Sequence, residues 1–308
     1  MGHPYFVSGH AIYSALARRV PSGVARGLQV STGVFVPGTH GSYPASHSQS
    51  RGRQYMGTSL HPVESYADLF LFRDAAQRWV SERVARDAVN TQSLVEYGSR
   101  TAYAPMHIVG QPAERRASKE TTTWYVHCYL HCSGDTDDVV PLDEEVLDGL
   151  RLGGARNYGF GWTSLKETQV IDLDALDYTA LREADEYRIE LLSPYVLTSE
   201  YPDADDQAVP WWWETGEYGL RRRSAQLVKG EDVYTLETVD HGQVVEYAGD
   251  DPVETARNGV RRVGTHAKYG FGEFRVRPVT QNRVVENEDT ALEATQQRTE
   301  PRTGGESA

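Results

Sequence analysis

The sequence predicts an α+β protein built from two domains of similar design. Three observations carry this. Short β-branched and aromatic runs are mixed with short helical patterns, without the regular strand–helix alternation of a doubly wound sheet. One motif occurs twice, late in each half of the chain. The 308 residues amount to roughly two average domains, and 39% hydrophobic with 24% charged residues is enough to bury a core.

Taken in order, a helix signal opens almost at Met1, with no strand ahead of it. Gly38 to Gly57 is rich in Gly and Ser and reads as a long loop holding His40, His47, Arg51 and Arg53. Ser65 to Val89 places Leu69, Phe72, Ala76, Trp79 and Val84 at helical spacing. Thr121 to Cys132 is β-branched and aromatic, a strand. Leu142 to Leu150 reads as a short amphipathic helix, and Tyr187 to Leu197 as a strand interrupted at Pro194. Val233 to Tyr247 suggests a β-hairpin turning at Asp240-His241-Gly242. Pro252 to Val260 is a helix opened by its proline. The domains are expected at 1–178 and 184–280, with a disordered acidic tail over 281–308, where six acidic residues face three basic ones.

No window reaches eighteen uninterrupted apolar residues and the start lacks a basic-then-apolar signal, so a cytoplasmic protein without a membrane segment is expected. Two cysteines, Cys128 and Cys132, cannot staple a chain of this size. Asp plus Glu number 44 against 31 Lys plus Arg, and only four of those 31 are lysines, leaving 27 arginines. Acidic, lysine-poor and arginine-rich together suggest a halophilic, high-salt cytoplasm. At high salt a nucleic-acid partner would be held by local arginine contacts, stacking and hydrogen bonds, so the net charge of −13 does not exclude RNA.

The repeated motif is Arg151-Leu152-Gly153-Gly154-Ala155-Arg156-Asn157-Tyr158-Gly159-Phe160-Gly161, matched at a constant offset of 111 by Arg262-Val263-Gly264-Thr265-His266-Ala267-Lys268-Tyr269-Gly270-Phe271-Gly272, with six of eleven positions identical. Each copy follows a helix pattern and precedes a strand-like stretch, Trp162 to Leu165 or Glu273 to Val276. Glycines let a ligand approach exposed amides, and Arg156 and Lys268 place a cation beside them. The plain alternative is a tight helix-to-strand connection with Phe160 and Phe271 packed inward. The order is the reverse of a dinucleotide fingerprint, and no Gly-Lys-Ser/Thr is present.

These loops, with the small-residue helix Val7 to Arg19 behind Gly9 and the strand at Tyr187, resemble the RAMP superfamily of CRISPR-associated proteins. The resemblance spans most of residues 5 to 278. It implies ferredoxin-like, RRM-like domains that bind guide RNA in an antiviral ribonucleoprotein complex, together with other effector subunits. The glycine loops would face the RNA, through Arg151, Gly153, Gly154, Arg156, Gly159 and Gly161, and Arg262, Gly264, His266, Lys268, Gly270 and Gly272. Two loops look most like the subunits that cap the 5′ end of the guide. The runner-up is a metal-independent endoribonuclease cutting repeat RNA, with His10 as base and Tyr13 one turn on. Outside the family, a structural or protein-interaction module remains.

Other motifs point elsewhere. His127-Cys128-Tyr129-Leu130-His131-Cys132 has zinc-ligand types, but residues four apart on a strand lie about 13 Å apart, so no metal or other cofactor is expected. Trp211-Trp212-Trp213 with Arg221-Arg222-Arg223 suggests a stacking and phosphate-binding element or an interface cluster, with Trp212 buried and its neighbours on the other face. Glu144-Glu145, Asp205-Asp206 and Asp250-Asp251 read as solvated surface.

Overall fold

The computed structural model describes residues 6–37, 41–42, 54–55, 59–73, 92–97, 100–104, 124–132, 140–152, 161–202, 204–215, 219–229 and 231–279. Most of the Gly/Ser-rich loop, the later part of the 65–89 helix, residues 153–160 of the first glycine loop and the tail lie outside the described residues.

The architecture is α+β. A strand does precede the first helix: β1 (Phe6–Val7) is two residues long, too short for any hydrophobic period to reveal it. Helix α1 (Gly9–Leu16) is capped by Ser8, whose hydroxyl oxygen accepts from the Ala11 amide at 3.3 Å. Ile12, Ala15 and Leu16 form its buried face at i, i+3 and i+4. Then come α2 (Ser22–Gly27), β2 (Leu28–Val30), β3 (Gly33–Pro37), β4 (Gly41–Ser42), β5 (Gln54–Tyr55), β6 (Gln92–Tyr97), β7 (Arg100–Ala104), β8 (Trp124–His127) and β9 (Leu130–Cys132). β1, β3 and β8 form one antiparallel sheet; β2–β9, β4–β5 and β6–β7 are antiparallel pairs.

The strand expected over 121–132 is therefore two strands. The break falls at Tyr129, whose amide donates to the Ser31 hydroxyl at 2.8 Å while its carbonyl accepts from the Ser31 amide at 2.9 Å. Where the 65–89 helix was expected, the described part is a 3-10 turn, Tyr66–Phe70, started by Asp68 accepting from the Ser65 amide. The 142–150 helix shrinks to one turn, α3 (Glu144–Leu147). Trp162 makes only an isolated bridge with Arg151 in place of the expected strand.

After α4 (Thr179–Arg182) the second half runs β10 (Tyr187–Leu191), β11 (Tyr195–Ser199), β12 (Trp213–Glu214), β13 (Arg222–Lys229), β14 (Asp232–Val239), β15 (Val244–Tyr247), α5 (Pro252–Arg261) and β16 (Phe274–Pro278). Pro194 does separate two strands, and they enter different sheets: β12-β15-β10-β16, and β11-β14-β13. The hairpin expected over Val233 to Tyr247 is corrected. Its turn exists, with Gly242 at φ 76, but the Asp240 amide donates to Arg221 and the Gly242 amide to Leu191, so the chain crosses between sheets. The real hairpin is β13–β14.

The largest core cluster joins Tyr66, Leu69 and Phe70 with Tyr178, Ile189, Leu191, Val245, Ala256, Phe274 and Val276. A second joins Ile12 and Leu16 with Leu28, Val30, Leu150 and Leu152. Each such large apolar side chain contributes about 1.5–3 kcal/mol on burial. The halves are also tied by a buried ion pair, Arg73 to Glu273 at 3.3 Å, with the Arg73 guanidinium donating to the Ser31 hydroxyl at 2.8 Å.

Candidate nucleic-acid interface

Both copies of the repeat are closed by the same backbone bond. In the first copy the Leu152 amide donates to the Gly161 carbonyl at 2.8 Å; in the second the Val263 amide donates to the Gly272 carbonyl at 3.1 Å. The two bonds are related by the same offset of 111. Gly161 and Gly272 have φ values of 75 and 74, and a Cβ at either would overlap the carbonyl oxygen of Leu152 or Val263. Glycine is required twice for one reason: the ends of each loop cross at backbone contact.

Helix α1 lies between the second loop and the entry to the first. Its first turn meets the second loop: a Cβ on Gly9 would lie 2.8 Å from the Gly270 Cα, and Tyr13 packs edge-on to Tyr269 at 5.0 Å. Beyond its C-terminal end, Arg19 donates to the carbonyls of Val146 (3.2 Å), Asp148 and Gly149 at the entry to the first loop. Leu16 shares its cluster with Leu150 and Leu152.

Around the second loop, His10, Tyr13, Tyr201, Tyr234 and His266 surround Tyr269. His10 to Tyr269 is 5.2 Å, Tyr201 to Tyr269 6.3 Å and Tyr201 to Tyr234 5.0 Å. Two of the four lysines border this cluster: Lys229 lies 4.9 Å over the Tyr201 ring and donates to its hydroxyl, and Lys268 lies 5.0 Å over Tyr269. The Lys229 ammonium draws the Tyr201 phenol below its ordinary pKa, while burial pushes Tyr269 up. Burial lowers His10, so it is neutral near pH 7, and burial with Lys268 beside it lowers His266 to about 4.

The predicted residues separate into rim and scaffold. Gly264 is exposed and Lys268 half-buried at the rim. Arg262 and His266 are scaffold, at 5% and 3% exposure. Arg262 donates to the Ala267 and Val260 carbonyls from a backbone at φ 68, ψ 146, a region that costs a non-glycine residue about 1–3 kcal/mol. His266 shares a 2.8 Å hydrogen bond with Ser199. The expectation of bare amides is narrowed here to the part of the loop around Gly264. The amides of Val263, Ala267, Tyr269, Gly270 and Gly272 all donate to backbone carbonyls, because the loop is wound tightly against Gly9, Val30 and Pro194. What this loop offers a ligand is the Gly264 edge, cations and ring faces.

At the first loop, Gly153, Gly154, Arg156 and Gly159 lie outside the described residues. Arg151 is exposed and stacks 4.9 Å over Trp162, itself 63% exposed. Sequence reasoning passed over Trp162, Tyr201, Tyr234 and Lys229. Trp162 directly follows the repeat, and Lys229 is one of only four lysines, so both had a signal; the two tyrosines had none.

The other motifs resolve as follows. His127 is half-buried, and desolvation of its ring, with Arg73 and His61 nearby, lowers its pKa well below normal. Among the described residues no group of three His, Cys, Asp or Glu side chains could hold a metal ion. The tryptophan run is corrected: Trp213 is buried at 5%, Trp212 is half-buried and Trp211 is 77% exposed. Alternation fails because only Trp213 belongs to a strand. Glu144, Glu145, Asp205, Asp206, Asp250 and Asp251 are exposed, with Asp251 capping α5 through the Glu254 amide at 2.9 Å. Among the described residues no helix is long and apolar enough to cross a membrane.

Compared with models of known protein families and with curated proteins, the chain matches none.

Proposed function

We propose that the chain is a guide-RNA-binding subunit of a CRISPR effector ribonucleoprotein complex, with the two glycine loops and the N-terminal part of α1 at the RNA. The observation that carries this is the matching backbone bond that closes each loop, Leu152 to Gly161 and Val263 to Gly272, with α1 packed on the second loop and, through Leu16 and Arg19, on the entry to the first. Matched loops linked through a helix suit a continuous sugar-phosphate strand better than a single small ligand. Aromatic faces beside cations, Arg151 on Trp162 and Lys229 and Lys268 on tyrosines, are the chemistry that holds single-stranded nucleic acid. The sheet β12-β15-β10-β16 adds support. Its antiparallel order, with α5 between β15 and β16, is the 2-3-1-4 order of a ferredoxin-like split β-α-β unit, although β11 stands where that unit has its first helix.

The test is RNA binding by purified protein carrying Arg156→Ala and Lys268→Ala. Weakened RNA retention with an unchanged thermal midpoint supports the proposal, and unchanged RNA affinity contradicts it. Co-purification with the absorbance ratio of pure protein favours a protein-interaction module.

One observation favours an endoribonuclease as a second reading. His10 stands at the same place, beside Tyr269 and within 3.4 Å of the Ser14 hydroxyl, held neutral and able to accept a ribose 2′-OH proton. Labelled repeat RNA incubated with EDTA separates the readings: a fixed cut that His10→Ala removes identifies the enzyme.

A further inference from the structure

The tryptophan run is not used by the loops. Between it and the start of β13 lies a cleft of about 400 Å³ lined by Trp211, Trp213, Leu220, Arg222 and Val239, with Val209 and Pro210 at its edge. Its inner wall is fixed: Trp213 packs on Tyr195 at 5.1 Å, and Trp212 is held behind it against Phe274 at 5.3 Å. Its outer wall is Trp211, the most exposed of the large hydrophobic side chains among the described residues. Trp211 thus presents an open indole face beside a fixed aromatic wall, the geometry on which a base stacks. Arg222 adds an exposed guanidinium that makes no ion pair among the described residues. Arg221, by contrast, is engaged with Asp240 at 3.1 Å.

We propose that this cleft takes one nucleotide, its base against Trp211 and its phosphate on Arg222. The volume lies within the range of small-molecule pockets and is too small for a folded partner element. An aromatic plane with an adjacent planar cation matches a base and its phosphate, which present a π-face and a bidentate acceptor. The cleft is separate from the loop cluster. Alternation along β13 puts Arg222 and Lys229 on opposite faces, about 23 Å apart along the strand. The nucleotide is either free or an unstacked residue of a single-stranded nucleic acid. The proposal for the cleft stands whether or not the loops bind RNA.

The experiment titrates the full chain, and its Trp211→Ala, Arg222→Ala and Lys268→Ala variants, with AMP, UMP and a short single-stranded RNA. Tryptophan fluorescence and retention of labelled RNA are followed, with thermal midpoints as the check on folding. Fluorescence quenching that Trp211→Ala removes, with affinity reduced roughly tenfold or more, is the expected result. Quenching by both mononucleotides and RNA identifies a free-nucleotide pocket; quenching by RNA alone identifies an unstacked base of a strand. Arg222→Ala should flatten the salt dependence of the same binding. Nucleotide and RNA binding left unchanged by Trp211→Ala overturns the proposal. RNA binding lost in Lys268→Ala, with both RNA and mononucleotide binding kept in Trp211→Ala, overturns it while leaving the loops intact; RNA binding kept in Lys268→Ala and lost in Trp211→Ala upholds the cleft and removes the loops.

Discussion

Gly9 and Gly270 meet backbone to backbone: a Cβ on Gly270 would lie 3.0 Å from the Gly9 Cα and one on Gly9 2.5 Å from the Tyr269 carbonyl oxygen. The contact presses the first turn of α1 onto the second glycine loop, and the positions of His10, Tyr13 and Lys268 depend on it. Gly9→Ala should therefore destabilise the fold by about 1–3 kcal/mol through overpacking. Gly270→Ala should cost more, since Gly270 also has φ 87. Thermal unfolding of the two variants measures this, with a midpoint several degrees lower in each.

A buried ion pair fixes the strand that leaves the same loop. Arg73 and Glu273 are 3% and 2% exposed, so Glu273→Gln leaves a cation deep in the seam and should cost about 3–5 kcal/mol. Arg73→Met with Glu273→Leu removes both charges and should be less destabilised than the sum of the single changes. Urea midpoints of the two single variants and the double variant form the cycle that decides.

The histidines make the fold acid-sensitive. His266 titrates at about 4 when folded and near 6.5 when unfolded, because burial and Lys268 disfavour its charged form. Between those values the unfolded chain binds a proton that the folded chain does not, so stability falls as pH drops from about 6.5 to 4. His10, His127 and His131 are shifted the same way. The His266 share has a ceiling of about 3 kcal/mol. His266→Asn should give a shallower loss of thermal midpoint over that window, and an identical slope would exclude the histidine as its source.

The pairing of Lys229 with Tyr201 gives a spectroscopic signature. Tyrosinate absorbance near the ordinary phenol pKa should begin at lower pH in the wild type than in Lys229→Met, and Tyr201→Phe should remove that early component.

How far the sequence foretold this structure depends on the range of the interactions. The helix at Pro252 was legible because its signals are local: Asp251 caps it, Pro252 starts it and Ala256 marks its buried face. The break at Pro194 was legible for the same reason. The hairpin was misplaced because Asp240-His241-Gly242 is a good turn locally, while the destinations of β14 and β15 are decided by the distant partners Arg221 and Leu191. The repeat showed that two loops are alike. It could not show that Arg262 and His266 point inward, since that follows from Ser199, 67 residues away, and from the loop folding back on itself so that Arg262 meets the Ala267 carbonyl and Glu273. That His10 and Lys268, suggested by competing functional readings, share one site was invisible at a separation of 258 residues.

The most direct test is the affinity of the purified protein for single-stranded RNA, measured against salt for the wild type and for Arg156→Ala with Lys268→Ala. A guide-RNA-binding protein should show tight wild-type binding, weaker binding by the double variant, and a salt slope reduced by up to about two for the two lost phosphate contacts. Equal affinities and equal slopes would contradict that assignment.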